Sequence, residues 1–363
     1  RLITNNQLPD SQAVFALDWI GNPVAVWVQH VSPPSRVPET EQDLTPELLA
    51  GLEVVYACYD WRTASWGTPT CLTNNAFLEH SPRFLYDARG ITGIIWTANT
   101  QGELYPEASA PDTLYLARWD GQAFSAPEML REGDTSLMRA FADLGGRILY
   151  VWVEDRDGDW GTQGDEELLW SVWDGTRWTP PERLTTNSVD DEWPVLFPTG
   201  MGRADLFWVR IEPGAEGREG VLLVRSFGPD GWTDDRVLLE GRPIFSFHAA
   251  RSRDGQVAVV WQEISEQGPD LFSIVCQPGG AECTEPRQLT ADPHQESQVS
   301  LVFDDGLLTM AFLRTMVEEQ TKKVRYTGPN LEDPTIQYTE EEFEITVPTT
   351  GATHLYLLEV RMP

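Results

Sequence analysis

Short apolar runs, each closed by an aromatic residue and separated by polar turns, recur along the chain. Val24-Ala25-Val26-Trp27 is the first. Gly93-Ile94-Ile95-Trp96, Leu149-Tyr150-Val151-Trp152, Asp205-Leu206-Phe207-Trp208, Ala258-Val259-Val260-Trp261 and Met310-Ala311-Phe312 follow. Runs of this length, rich in β-branched and aromatic residues and bounded by Gly and Asp turns, predict strands rather than helices. After each of the first five comes a hairpin with a matched residue on either side of a tight turn: Trp61 to Trp66, Trp119 to Phe124, Trp173 to Trp178, Phe227 to Trp232 and Cys276 to Cys283. Each run is preceded by a Gly-containing turn such as Asp254-Gly255 or Asp305-Gly306, and by a further strand such as Ala13 to Leu17 or Val299 to Phe303.

The repeating unit is therefore four antiparallel strands, a to d, with strand b ending in the Trp. Strand d ends at a recurring leucine, seen at Leu2, Leu72, Leu130, Leu184, Leu238 and Leu289, at intervals of 51 to 70 residues. Four-stranded units at such spacing predict the blades of a propeller. The expectation is an all-β fold: one six-bladed β-propeller domain over 1–363, with four-stranded antiparallel blades starting near residues 4, 73, 131, 185, 239 and 290. Thr353 to Val360 matches a strand c, and Arg1-Leu2-Ile3-Thr4 matches the end of a strand d. The ring is thus expected to close with strands from both termini. Most of the closing strand is missing, so either the last blade has three strands or the chain is part of a longer polypeptide with neighbouring domains. Only Asp43 to Leu52 suits a helical turn, with Pro46 in its first turn.

Insertions fall between strands b and c, at 30–52, 99–112, 154–166, 212–219, 263–269 and 315–353. In a propeller these loops share a face with the d–a connections, which here carry Asp10, Glu79, His80, Asp134, Asp190, Asp191, Glu192, Asp292, His294 and Glu296. A loop-rich acidic face is expected, and rigid strands presenting variable loops are where binding usually sits.

Charge narrows the partners. With 57 acidic against 26 basic residues the net charge is −31, which disfavours nucleic-acid binding, since that requires basic patches to displace counterions. No apolar stretch reaches 18 residues, so membrane insertion by a helix is not expected. Cys276 and Cys283 occupy the cross-strand pair position of their hairpin, where Cβ atoms lie about 4.5–5.5 Å apart, close to disulfide geometry. Cys58 and Cys71 lie on the two strands of the first hairpin in a diagonal register. Two hairpin bridges point to an oxidising, extracellular or cell-surface location.

Asp155, Asp157, Asp159 and Glu166 stand at positions 1, 3, 5 and 12 of an acidic loop, the spacing by which oxygen ligands surround Ca²⁺. Trp160 stands where the Ca²⁺ loop of a helix–loop–helix hand requires Gly, and no helices flank it, so any bound Ca²⁺ would sit in a different frame; a solvated acidic turn is the competing reading. The five histidines show no local metal spacing, although His80, His248 and His294 all fall near the expected channel mouth. No Gly-x-Ser-x-Gly, phosphate loop or local Cys/His pair supports nucleophilic catalysis. Trp27, Trp96, Trp152, Trp208 and Trp261 recur at one position and read as packing. The non-repeated Trp160 and Trp193, beside the acidic loops, are the aromatic candidates for a ligand.

The hairpin Ser171-Val172-Trp173-Asp174-Gly175-Thr176-Arg177-Trp178 resembles the Asp-box of sialidase-like propellers, Ser-x-Asp-x-Gly-x-Thr-Trp. Ser171, Gly175 and Trp178 fall in register; the Asp is displaced by one, and Arg177 replaces the Thr. The resemblance implies a six-bladed fold. It does not carry catalytic residues over: Arg83 and Arg139 lie near starts of strand a, but no third Arg matches them. The function expected is a non-catalytic extracellular propeller that binds a glycan or a surface protein through its loop-rich face, with Ca²⁺ ordering a loop. The alternative is a glycoside hydrolase or lyase with its site at the channel mouth.

Overall fold

The structure, a computed structural model, describes all residues except 1–2, 5–7, 32–48, 159–161, 215–216, 266–267, 292–293, 329–338 and 363. It is all-β, and its six antiparallel sheets are the blades of a six-bladed propeller. The residues form two compact units, Arg1–Glu240 and Gly241–Pro363.

In the first unit, blade one contains β1 (Asp10–Leu17), β2 (Pro23–His30), β3 (Leu52–Asp60), β4 (Ser65–Trp66) and β5 (Thr70–Cys71). Blade two contains β6 (Leu78–Asp87), β7 (Gly90–Asn99), β8 (Asp112–Arg118) and β9 (Glu128–Asp134). Blade three contains β10 (Arg139–Asp143), β11 (Ile148–Asp155), β12 (Glu166–Trp173) and β13 (Glu182–Arg183). Blade four contains β14 (Asp190–Gly200), β15 (Arg203–Gly214), β16 (Gly217–Gly228), β17 (Gly231–Trp232) and β18 (Arg236–Arg242). In the second unit, blade five contains β19 (Ser246–Arg251), β20 (Val257–Ser265), β21 (Gly268–Cys276) and β22 (Arg287–Gln288). Blade six contains β23 (Gln295–Asp304), β24 (Leu307–Gly328) and β25 (Thr339–Arg361).

Blade six has three strands among the described residues. Arg1 and Leu2, which the sequence offers for a fourth, lie outside them, and Ile3 packs against Ala25, Trp27, Val55 and Ala57 of blade one. The insertion between strands b and c of blade six lengthens the hairpin itself, with pairing from Leu307↔Arg361 out to Gly328↔Thr339. Of the segment expected to form a helical turn, residues 43–48 lie outside the described residues.

Strand b of each blade is apolar on both faces because neighbouring strands cover both. Val24, Val26, Ile94 and Trp96 join one core cluster with Ala117 and Trp119; Val151, Leu168, Leu206 and Trp208 join another. In the second unit Ala258, Val260, Leu308 and Met310 do the same. The five repeated tryptophans are at most 6% exposed, as their periodicity implied. The hairpin turns behave as their Asp-Gly sequence requires. Asp174 Oδ1 accepts from the Thr176 and Arg177 amides at 2.8 and 2.9 Å, and Gly175 takes a φ of 103° that disfavours any other residue. The Thr176 hydroxyl, which donates to Oδ1 at 2.7 Å, together with these amides, holds the Asp174 carboxyl down at about 2.

Cys276 and Cys283 form a disulfide. The second bridge is not formed: Cys58 is half-buried and Cys71 exposed, and both are free thiols. The register explains why. Cys71 pairs with Val55, so Cys58 lies three residues farther along β3, roughly 10 Å at the strand rise and on the opposite face. In the same hairpin Tyr59, rather than Trp61, pairs with Trp66, and Trp61 is exposed.

Candidate functional site

Most of the acidic residues assigned to a solvated face are internal. At the junction of blades one and two, Glu53 Oε1 accepts from the Asn75 amide at 2.8 Å. Asn75 Nδ2 then donates to Glu79 Oε1 at 2.6 Å, and Trp96 Nε1 donates to Glu79 Oε2 at 2.6 Å. The Val54 amide is satisfied by Thr73 Oγ1. Blades three and four repeat this motif residue for residue. Asn187 bridges Glu167 and Asp191, Trp208 Nε1 donates to Asp191, and Thr185 Oγ1 receives the Leu168 amide. In the second unit Thr290 receives the Leu271 amide and donates to Asp270. Glu53, Glu79, Glu167, Asp191 and Asp270 are each at most 1% exposed. They tie the segments that follow blades one, three and five to the strands beside them, and burial raises the Glu79 carboxyl to about 7.

The junction of blades two and three breaks the motif. Asp112 and Asp134, 0% and 2% exposed, enclose Arg139, whose Nη2 stands 3.6 Å from a carboxylate oxygen of each. Asn99 Nδ2 donates to Asp112 Oδ1 at 3.1 Å. Asp134 accepts from Ser136 and from the Tyr150 hydroxyl. Tyr150 is fully buried and stacked between Phe141 and Trp152; burial, reinforced by the Asp134 charge, holds its phenol well above the ordinary range. His80 Nε2 lies 3.3 Å from Asp112 Oδ2 without hydrogen-bond geometry. Both atoms, together with Arg139 Nε and Nη1, are buried and lack a hydrogen-bond partner. Such orphans are rare in proteins and costly, about 1–3 kcal/mol each.

Arg83 adjoins this cluster. Water reaches its side chain, yet protein surrounds it closely enough that burial, and then the Arg139 charge, lower its pKa. The exposure decides access: a ligand in solution reaches the Arg83 side chain. Among the described residues no carboxylate pairs with Arg83. Arg83 is thus the accessible guanidinium here, near a buried Arg139 whose Nε and Nη1 lack partners.

The site is set by backbone features of the repeat. In β6 the register shifts between His80 and Arg83, and Ser81 at the shift has a φ of 53°. The same bulge places Gln12 in β1 and Trp193 in β14, with φ of 51° and 53°. Bulges of this kind re-aim side chains at strand ends. Trp193 is half-buried, and its amide donates to Met138 Sδ.

The acidic loop of blade three divides differently from its sequence spacing. Asp155, Asp157 and Asp165 bring one carboxylate oxygen each within 4.8 Å of one another. Asp155 Oδ1 is occupied by the Asp157 and Gly158 amides, and burial raises its pKa. Glu166, expected in this set, instead joins Asp190 and Glu192 in a buried trio. Asp159 and Trp160 lie outside the described residues. No trio of metal-competent side chains among the described residues includes a histidine. His80 belongs to the charged cluster. His248, in β19, has its pKa lowered by burial, and His294 precedes β23.

No family model matches the chain, and no curated protein matches it in sequence. Solved structures match it in fold. Hadza microbial sialidase Hz136 superposes with a TM-score of 0.51 at 13% identity, over 82% of this chain and 62% of that one; this chain therefore spans less than two thirds of that sialidase. The α-L-arabinofuranosidase Arb93A from Fusarium graminearum gives 0.49 at 10% identity, over 84% and 88%. Trypanosoma rangeli sialidase gives 0.47 at 11%, over 85% and 53%. The fold is that of the sialidase-like six-bladed propellers.

Proposed function

We propose that this chain is a carbohydrate-recognition propeller that holds a carboxylate-bearing sugar at Arg83. The observation that carries this reading is the exposed Arg83 guanidinium, which has no carboxylate partner among the described residues and lies close enough to Arg139 for that charge to lower its pKa. A carboxylate accepts from paired guanidinium N–H groups in the geometry that Arg favours. The net charge of −31 does not override this. Charges beyond the Debye length, about 8 Å at physiological salt, are screened, and the nearby buried carboxylates Asp112 and Asp134 face Arg139 rather than Arg83. A fold shared with a sialidase is consistent with a sugar ligand, and the disulfide favours an extracellular or cell-surface setting. Asp134 is committed to Ser136 and Tyr150, and Asp112 is fully buried with Oδ1 held by Asn99, which supports binding rather than hydrolysis.

The test is a glycan array followed by titration of the best acidic oligosaccharide against wild type and Arg83→Met. Loss of a charge-assisted contact raises Kd about tenfold to a hundredfold. Equal affinity of the variant contradicts the reading. Release of reducing ends during the titration favours the hydrolase alternative.

A further inference from the structure

We propose that the second unit carries a separate subsite for a neutral sugar ring, in the cleft between blades five and six. The proposal rests on the carbohydrate reading but uses none of the residues that carry it. The cleft has a volume of about 400 Å³ and is lined by Phe245, Gln262, Pro269, Gln295, Glu296, Ser297 and Thr315. That volume falls within the range of small-ligand sites, roughly 300–1,000 Å³.

The lining has the two components that a sugar requires. Phe245 is a large apolar side chain left 51% exposed at the start of blade five, and its backbone is fixed by a 2.9 Å hydrogen bond from its amide to Gln262 O. An aromatic ring this exposed, carried on a fixed backbone, suits the C–H face of a pyranose or furanose. Around it stand amide and hydroxyl groups. Gln262 Nε2 donates to Glu296 O at 2.7 Å, which fixes that side chain while its carbonyl oxygen remains an acceptor. Gln295 and Ser297 are exposed on β23 and supply both donors and acceptors. Together these groups match the alternating hydroxyls of a sugar.

The charges decide which sugar. Glu296 is the acidic residue of the cleft, and Arg314 neutralises it: Nε and Nη2 lie 2.9 and 2.8 Å from Glu296 Oε1. Arg314 is itself held over the rings of Phe312 and Tyr356. The floor therefore presents no net charge, and an ionised sugar would find no counter-ion there to repay its desolvation. A neutral residue of the glycan is the ligand that fits.

Saturation-transfer NMR with cellotriose, xylotriose and arabinotriose, on the full 363-residue chain, tests this. One of the three is expected to show transfer and a saturable Kd. Phe245→Ala, at an exposed position, is expected to raise that Kd at least about tenfold through loss of the stacking face with an unchanged Tm. Gln295→Ala is expected to weaken binding while preserving transfer to the ring protons. Arg83→Met leaves neutral-sugar binding as in wild type, whereas Phe245→Ala leaves acidic-sugar binding intact, so the two sites fail independently. Absence of transfer from all three sugars, or wild-type affinity in Phe245→Ala, overturns the subsite.

Discussion

Replacing Glu79 with Gln tests whether the acidic residues at the blade junctions are internal struts. The wild-type carboxyl is 1% exposed and accepts from both Asn75 and Trp96, yet burial moves it from 4.5 to about 7. Folded protein thus keeps a proton that the unfolded chain has already released. The contribution of this group is complete below pH 4.5 and is lost as pH rises through 7. The full loss is about 3 kcal/mol, at about 1.4 kcal/mol for each pH unit between the two values. Gln cannot ionise, so Glu79→Gln escapes this loss. Its amide has a single acceptor atom, so one of the two hydrogen bonds is forfeited, at about 1 kcal/mol independent of pH. Urea unfolding followed by Trp fluorescence should find the two proteins nearly equal at pH 5, and the variant about 2 kcal/mol more stable at pH 8. A difference that stays constant from pH 5 to pH 8 would refute the buried, proton-binding Glu79.

Other consequences can be measured separately. Thr185→Val leaves the Leu168 amide without its acceptor in a buried site, and should cost about 1–3 kcal/mol in the same assay. Cys276→Ser opens a covalent loop of sequence separation 7; the chain-entropy relation gives a loss of about 2.5 kcal/mol, whereas Cys71→Ser should be neutral. Thiol titration of the unfolded, unreduced protein should count Cys58 and Cys71 alone. Millimolar Ca²⁺ should raise Tm, since three carboxylates of the Asp155 loop converge and a ligand of the native state stabilises it; Asp157→Ala should abolish the rise.

The repeat was readable because strand b has to be apolar on both faces and three of the five hairpin turns carry Asp-Gly. Those constraints are local, so they leave a mark every 51 to 70 residues. The disulfide at Cys276 was legible for the same reason: cross-strand pairing across a short turn is fixed by the turn. Cys58 and Cys71 failed because their register depends on where β5 returns to β3, which no turn dictates. The acidic face misled because a carboxylate looks the same in sequence whether solvated or locked. The partner that locks Glu53 is Asn75, 22 residues away, and for Glu79 it is Trp96 on another strand. Glu166 was assigned by spacing to the Asp155 loop, but strand alternation turns it toward Asp190 and Glu192. Arg83 and Arg139 were visible only as isolated basic residues near starts of strand a. Their juxtaposition arises from the bulge at Ser81 and from the broken motif at the blade two–three junction, which carry no sequence signature.

The central claim is that a sugar carboxylate is held at Arg83. A crystal structure of the chain soaked with the best acidic oligosaccharide tests it most directly. The account predicts a carboxylate within hydrogen-bond distance of the Arg83 guanidinium. A sugar bound elsewhere, with Arg83 making no contact to it, would contradict it.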